Sequence, residues 1–164
     1  MLIKLKNKDS LIVDDFLIKC SIGKNSIRYN KKEGDMTTPK GIFGLGKLYY
    51  RADRVPKPLT KISTKIITKD MGWCHDPKNK FYNKEININR NKVKHEKLFR
   101  KDNSYDYLIV INYNIKKTIP YKGSAIFLHL TKIYKKTAGC IALSKKDFLI
   151  LTKLVDKKTR IKIS

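Results

Sequence analysis

A chain of 164 residues, 41% of them hydrophobic, is long enough to bury a core without disulfide staples, and its longest apolar run is far too short to span a bilayer. Its 38 Lys and Arg against 14 Asp and Glu give a net charge of +24, which suggests an acidic partner such as nucleic acid, an anionic membrane surface or a cell-wall polymer. The basic residues are nearly all Lys and are scattered, with Arg only at 28, 51, 54, 90, 100 and 160, so the charge reads mainly as a solvated surface and no specific nucleic-acid face is expected.

Residues 1–6, 11–13 and 16–22 alternate as short strands separated by turn-prone Asn7-Lys8-Asp9-Ser10 and Gly23-Lys24-Asn25-Ser26, a β-meander opening. The N-terminus lacks the apolar stretch and cleavage site of a secretory signal. A polar, glycine-bounded loop, Lys32 to Gly41, feeds a strand over 42–50, in which Gly44 and Gly46 mark a bulge, a close backbone approach or simply a flexible hairpin. Arg51 and Arg54 sit in a loop pinned by Pro56 and Pro58; they suit a bidentate carboxylate clamp, or equally a salt bridge to Asp53 or Asp35.

A strand is expected over 62–68. The loop Met71-Gly72-Trp73-Cys74-His75-Asp76-Pro77 holds the only Trp of the chain, a substrate platform or a core anchor. The residues around Ile86 and Ile88 alternate as a strand, and His95 to Phe99 suggests a helical turn. Tyr107 to Tyr113 predicts a central strand, with 124–128 as its neighbour. Ser144 and Asp147 have the spacing of a helix N-cap; Phe148, Leu151, Leu154 and Val155 then share one face of a helix to about residue 156, and Arg160–Ile163 closes the chain as a strand. The expected fold is one mostly β domain over 1–164, a β-sandwich-like mixed sheet with one main helix near the C-terminus.

Chemistry concentrates between Ser124 and Ser144. An apolar strand there ends in His129, a basic loop follows, and the chain returns through Thr137-Ala-Gly139-Cys140 into a second apolar run. A His and a Cys brought together in this way suit nucleophilic catalysis, since a thiol needs a nearby base or positive charge near neutral pH. Gly139 permits a tight turn with main-chain N–H groups for an oxyanion. The plainer reading, a buried structural Cys, stands beside it. The three cysteines, Cys20, Cys74 and Cys140, have no metal-ligand spacing; a Cys20–Cys74 disulfide is left open, and no metal or cofactor is expected.

The ordered set of landmarks resembles the L,D-transpeptidase catalytic domain, the YkuD family, in a Thr-Ala-Gly-Cys subgroup. They are Gly34-Asp-Met-Thr-Thr-Pro39-x-Gly41, Tyr50-Arg-Ala-Asp-Arg54, Gly72-Trp-Cys-His-Asp-Pro77 with Tyr82-Asn83, and His95-Glu-x-Leu98. Tyr105-Asp106-Tyr-Leu-Ile-Val110, Gly123-Ser-Ala-Ile-Phe-Leu-His129 and Thr137-Ala-Gly-Cys-Ile-Ala-Leu143 complete the set.

The resemblance implies a cysteine enzyme acting on peptidoglycan stem peptides, at the L-centre of diaminopimelate or a similar third residue. Cys140 would be the nucleophile and His129 its base, with Gly139 and the Cys140 backbone shaping the oxyanion pocket and Thr137 orienting the His or the thiol. Trp73, His75, Asp76, Arg51 and Arg54 would lie near the substrate. Ala138 stands where the family commonly has a second His, and Ala142 where an Asn or Arg is common. The His-to-Cys segment is also short, and its Lys132, Lys135 and Lys136 either meet stem-peptide carboxylates or are simply solvated. A monomer in the cell envelope is expected. Hydrolysis of wall peptides by the same chemistry is the nearest alternative, and a basic nucleic-acid module or an inert wall-binding domain are alternatives of another class.

Overall fold

Alternation along the short strands sets the architecture. The computed structural model describes Met1–Ser164. In β1 (Leu2–Lys6) Ile3 and Leu5 are buried between exposed neighbours, and β2 (Ser10–Val13) buries Leu11 and Val13. The strand β3 (Phe16–Ser21) turns Ile18 and Cys20 inward. A period of two puts such residues on one face, and burying that face fixes the register. The pairs β4 (Ile27–Arg28) and β5 (Thr38–Pro39) form a small parallel ladder, followed by the long β6 (Gly41–Tyr50) and β7 (Thr64–Ile66). Then come β8 (Met71–Cys74), β9 (Glu85–Asn87), β10 (His95–Lys97), β11 (Tyr107–Ile111), β12 (Phe127–Leu130) and β13 (Ile141–Leu143). The helix α1 (Lys145–Leu154) and β14 (Arg160–Ile163) end the chain.

The main sheet runs β11-β12-β13-β3-β2-β1-β14-β6-β7, and β6 also pairs with β11, which closes the sheet into a barrel. It is mixed, because β1–β14 and β12–β13 are parallel and the other ring pairs antiparallel. Closure removes the open edges that an eight-strand sheet would otherwise expose. Inside lies a core of 25 buried residues that includes Leu48, Ile109, Leu128, Ile141 and Ile161. Phe148 and Leu151 of α1 join it, with the Phe148 ring stacked 5.9 Å from Tyr107. Ser144 caps the helix as its spacing predicts, its hydroxyl accepting from the Asp147 N–H.

A second cluster covers the outer face of β6, β11 and β12. It combines Tyr49, Leu108, Val110 and Phe127 with Trp73 of the separate sheet β10-β8-β9. The strand β11 is therefore buried on both faces, as its unbroken apolar run predicts.

Some local expectations change. His95 to Phe99 is not a helical turn: His95–Lys97 pairs with Gly72–Cys74 as a strand, an outcome of tertiary pairing that its own periodicity does not announce. Trp73 lies in β8, not in a loop. The strands expected at 62–68, 107–113 and 124–128 run instead over Thr64–Ile66, Tyr107–Ile111 and Phe127–Leu130. Cys20 and Cys74 are buried free thiols, so the disulfide left open does not form. Gly46 marks a close approach, because a Cβ there would lie 2.8 Å from Asn112 Oδ1, and the β6–β11 register shifts nearby, between Ile109 and Ile111.

Phe148 is fully buried, so Phe148→Ala is expected to cost about 3–5 kcal/mol in chemical denaturation. Truncation of Ile133, 79% exposed, should leave the midpoint unchanged. A loss under about 1 kcal/mol for Phe148→Ala would show that the helix is not part of the barrel core.

Candidate active site

The parallel pairing of β12 with β13 builds the site. Its register sets Leu128 against Ile141, His129 against Ala142 and Leu130 against Leu143. Leu128, Leu130, Ile141 and Leu143 enter the barrel core, so Phe127 and His129 face the outer side, where Cys140, one residue before β13, meets Phe127. The Phe127 N–H donates to Cys140 Sγ at 3.4 Å, and the thiol donates to the Ala125 carbonyl at 3.3 Å. His129 Nδ1 lies 2.9 Å from the Leu130 carbonyl. A carbonyl can only accept, so Nδ1 carries the proton and Nε2 keeps its lone pair. Cys140 and His129 line one cavity of about 750 Å³.

The turn carrying the thiol is held from below. Gly139 has φ of +142°, and a Cβ on it would sit 2.7 Å from the Thr37 carbonyl, so only glycine fits. The Thr38 hydroxyl donates to the Gly139 carbonyl and accepts from the Gly23 N–H, both at 2.9 Å. Thr137 Oγ1 donates to the Cys140 carbonyl at 2.6 Å and accepts from the Gly139 N–H at 3.1 Å. The Gly139 N–H is therefore engaged, while the Cys140 N–H meets no protein acceptor and is the donor left for an oxyanion.

Beneath this turn lies Lys31, 3% exposed, its ammonium 2.7 Å from Asp35. Asp35 also accepts from the Lys32 N–H and from the N–H and hydroxyl of Thr37. Burial alone would raise the Asp35 carboxyl, but the Lys31 bond and these donors outweigh it and hold it at about 2.

Burial pushes the Cys140 thiol up to about 12, with the negative charge of Glu96 adding to the effect and the Phe127 N–H and Lys31 opposing it. Burial also pushes the His129 imidazole down. The resting pair is a neutral thiol and a neutral imidazole, not a thiolate–imidazolium ion pair.

Of the other residues singled out in the sequence, His75 lines the cavity, and Trp73, Asp76, Arg51 and Arg54 do not. Trp73 is buried behind Cys140, edge-on to Phe127 at 5.2 Å, its Nε1–H donating to Asn83. Asp76 closes a local turn onto the Lys78 N–H. Arg51 grips Asp53 and the Arg100 carbonyl, and Arg54 binds Asp106 and the carbonyls of Lys101 and Asp102. Both arginines thus staple the 100–106 segment, which supplies Arg100, Ser104 and Tyr105 to the cavity. In the basic loop, Lys135 and Lys136 line the cavity and Lys132 does not.

Sequence reasoning did not single out Lys31, Asp35, Asn83, Glu96, Arg100 or Tyr105 as site residues. Asn83 is buried with φ of 56°, and its Oδ1 accepts from the Ala125 N–H at 3.0 Å. Ala125 has φ of 52°, a conformation costly for a residue with a Cβ, and its carbonyl receives the thiol proton. The landmarks Tyr82-Asn83, His95-Glu96 and Tyr105-Asp106 were the available signal.

With this geometry established, comparison with known proteins decides the family. The family model of the L,D-transpeptidase catalytic domain, YkuD, matches residues 4–163. The chain belongs to that family. L,D-Transpeptidase-family domains are cysteine-dependent and modify peptidoglycan. Among solved structures, the helical cell shape determining protein Pgp2 from Campylobacter jejuni shares the fold, with a TM-score of 0.53 at 17% identity. The match covers 99% of this chain and 46% of that one, so the chain spans about half of its length. No curated protein matches the sequence. No helix of this L,D-transpeptidase-family domain is long and apolar enough to cross a membrane.

The Lys31–Asp35 pair yields a prediction with a definite sign. Asp35 has a folded pKa depressed below the ordinary carboxylate value, so its contribution of about 2 kcal/mol is present above that ordinary value and is lost as pH falls from about 4 toward 2. Asp35→Ala, which strands a buried ammonium, should cost about 3–5 kcal/mol at pH 7 and flatten the acid limb of a stability–pH curve. An unchanged acid limb in the variant would remove Asp35 from this role.

Proposed function

We propose that the protein is an L,D-transpeptidase of the cell envelope that forms an acyl-enzyme on Cys140 with peptidoglycan stem peptides. The observation that carries the reading is the cavity shared by Cys140 and His129, with the imidazole fixed by Leu130 in the tautomer that leaves Nε2 unprotonated. In this reading His129 Nε2 takes the thiol proton as Sγ bonds to the substrate carbonyl carbon, and the carbonyl electron pair moves to oxygen beside the Cys140 N–H. The imidazolium then gives that proton to the departing amine as the C–N bond breaks, leaving a thioester. An acceptor amine attacks the thioester carbon, passes a proton to Nε2 and expels the sulfur, which recovers the proton. For that first step the S–H must turn from the Ala125 carbonyl toward Nε2.

Intact mass after incubation with a carbapenem tests the nucleophile. One adduct is expected on the wild type and none on Cys140→Ala; no adduct on either, or one on both, overturns the assignment. Defined tetrapeptides then separate transfer from hydrolysis, since amine and water acceptors give products of different mass. The family's amine transfer is expected, and a product from water alone would replace it with carboxypeptidase action.

The neutral pair also sets the pH profile. A base whose pKa is pushed below the ordinary His value stays competent in mildly acid solution, so kcat/KM should fall only through an apparent pKa below 6.5. An acid limb above 6.5 would show that burial does not hold the imidazole neutral in this range and would contradict the mechanism.

A further inference from the structure

Lysines that are scattered along the sequence converge on one side of the barrel. The register sets Leu17 beside Ile12, Ile12 beside Lys4, Lys4 beside Lys162 and Lys162 beside Ile42, one outward row across β3-β2-β1-β14-β6. Lys6 and Lys19 flank this row on one side through Ser10, and Leu2 and Arg160 flank it on the other. These strands carry no Asp or Glu; Asp9, Asp14 and Asp15 lie in the turns that join them. Lys4, Lys6, Lys19, Arg160 and Lys162 enter none of the ion pairs of the chain.

Folding does not account for this row. Like charges directly opposite in a sheet destabilise it, yet Lys4 and Lys162 are register partners. Lysines that guard a sheet edge have no edge to guard here, because the ring is closed. Leu17 and Ile42 meanwhile stand 65% and 45% exposed on the same face. Aliphatic side chains interleaved with unpaired lysines on a convex surface suit a bilayer with anionic headgroups. The ammoniums meet phosphates, and the aliphatic groups enter the boundary between headgroups and acyl chains. The other occupants fit less well. A second copy would set lysine against lysine, an added strand finds no free edge, and a nucleic-acid backbone would leave the aliphatic residues without a partner.

We propose that the outer face of β3-β2-β1-β14-β6 docks the protein on an anionic lipid bilayer. Around the ring β1 lies opposite β12, since the path through β13-β3-β2 and the path through β11-β6-β14 are equally long. A bilayer on this face therefore leaves the Cys140 cavity directed away from the lipid. The docking face shares no residue with that cavity and does not depend on the reaction proposed there.

Sedimentation of the full chain with vesicles tests the face. Vesicles of about 30% phosphatidylglycerol in phosphatidylcholine should bind it, and phosphatidylcholine alone should not. A lysine near such a surface strengthens binding by roughly fivefold, so Lys4→Gln with Lys162→Gln should weaken it by about tenfold or more. Lys116→Gln with Lys117→Gln, the same charge change in the β11–β12 connection, should weaken it by less than about threefold. Leu17→Ser with Ile42→Ser leaves the charge unchanged and should still weaken it by about threefold or more. All six residues are exposed, so each variant should keep the wild-type thermal midpoint. Equal losses for the two lysine pairs, or no vesicle binding by the wild type, would overturn the docking face. Serine variants that change nothing would make it a general polyanion site, open equally to duplex DNA, and would overturn the bilayer as its partner.

Discussion

The candidate site depends on the approach of Gly139 to the Thr37 carbonyl, 2.7 Å from where a Cβ would be. It lets the turn carrying Cys140 lie directly on the segment between Lys31 and Thr38. Thr38 then bonds the Gly139 carbonyl, and Asp35 gathers Lys31 and the Thr37 N–H and hydroxyl beneath it. With any side chain at 139 the turn would lift, and the thiol would leave its contacts with Phe127 and Ala125. Positioning of the Cys140 thiol is thus a packing consequence first and a hydrogen-bonding consequence second.

The same economy governs the strands. Because alternate residues of β12 face opposite sides, a single four-residue strand supplies Leu128 and Leu130 to the barrel core and Phe127 and His129 to the site. The register that buries the leucines therefore also aims the histidine, and a one-residue slip would exchange them. Covering this outer face with Trp73, Tyr105 and Leu98 gives the reactive residues a second hydrophobic cluster of their own.

That division explains what was legible in the sequence. Strands with period two, the two-faced β11 and the capped helix announce themselves because each follows from local pattern and burial. His95–Lys97 does not, since a three-residue strand takes its conformation from pairing with β8. Ala125 gives no sign of its left-handed backbone, which is supported from outside by Asn83. Glu96 showed only as part of a landmark, and Arg100 not at all, for a different reason. In a chain with 32% charged residues, nothing local separates a carboxylate at a cavity wall from one in solvent. Arg51 and Arg54 show the converse: residues suited to clamping a ligand clamp the chain itself, and affect the cavity through the segment they hold.

In the proposed reaction, the burial that orders the site works against Cys140 as a nucleophile. With its pKa pushed up to about 12, the Cys140 thiol is almost wholly protonated at neutral pH. Such a thiol gains nothing from waiting as a thiolate, so its activation has to coincide with attack, when Nε2 removes the proton and the negative charge passes to the substrate oxygen. The neighbouring charges fit that timing. The Phe127 N–H, Lys31 and Arg100 favour a thiolate, while burial and Glu96 disfavour one. The large surface charge of the chain, spread over its lysines, would act on encounter and not on the chemistry.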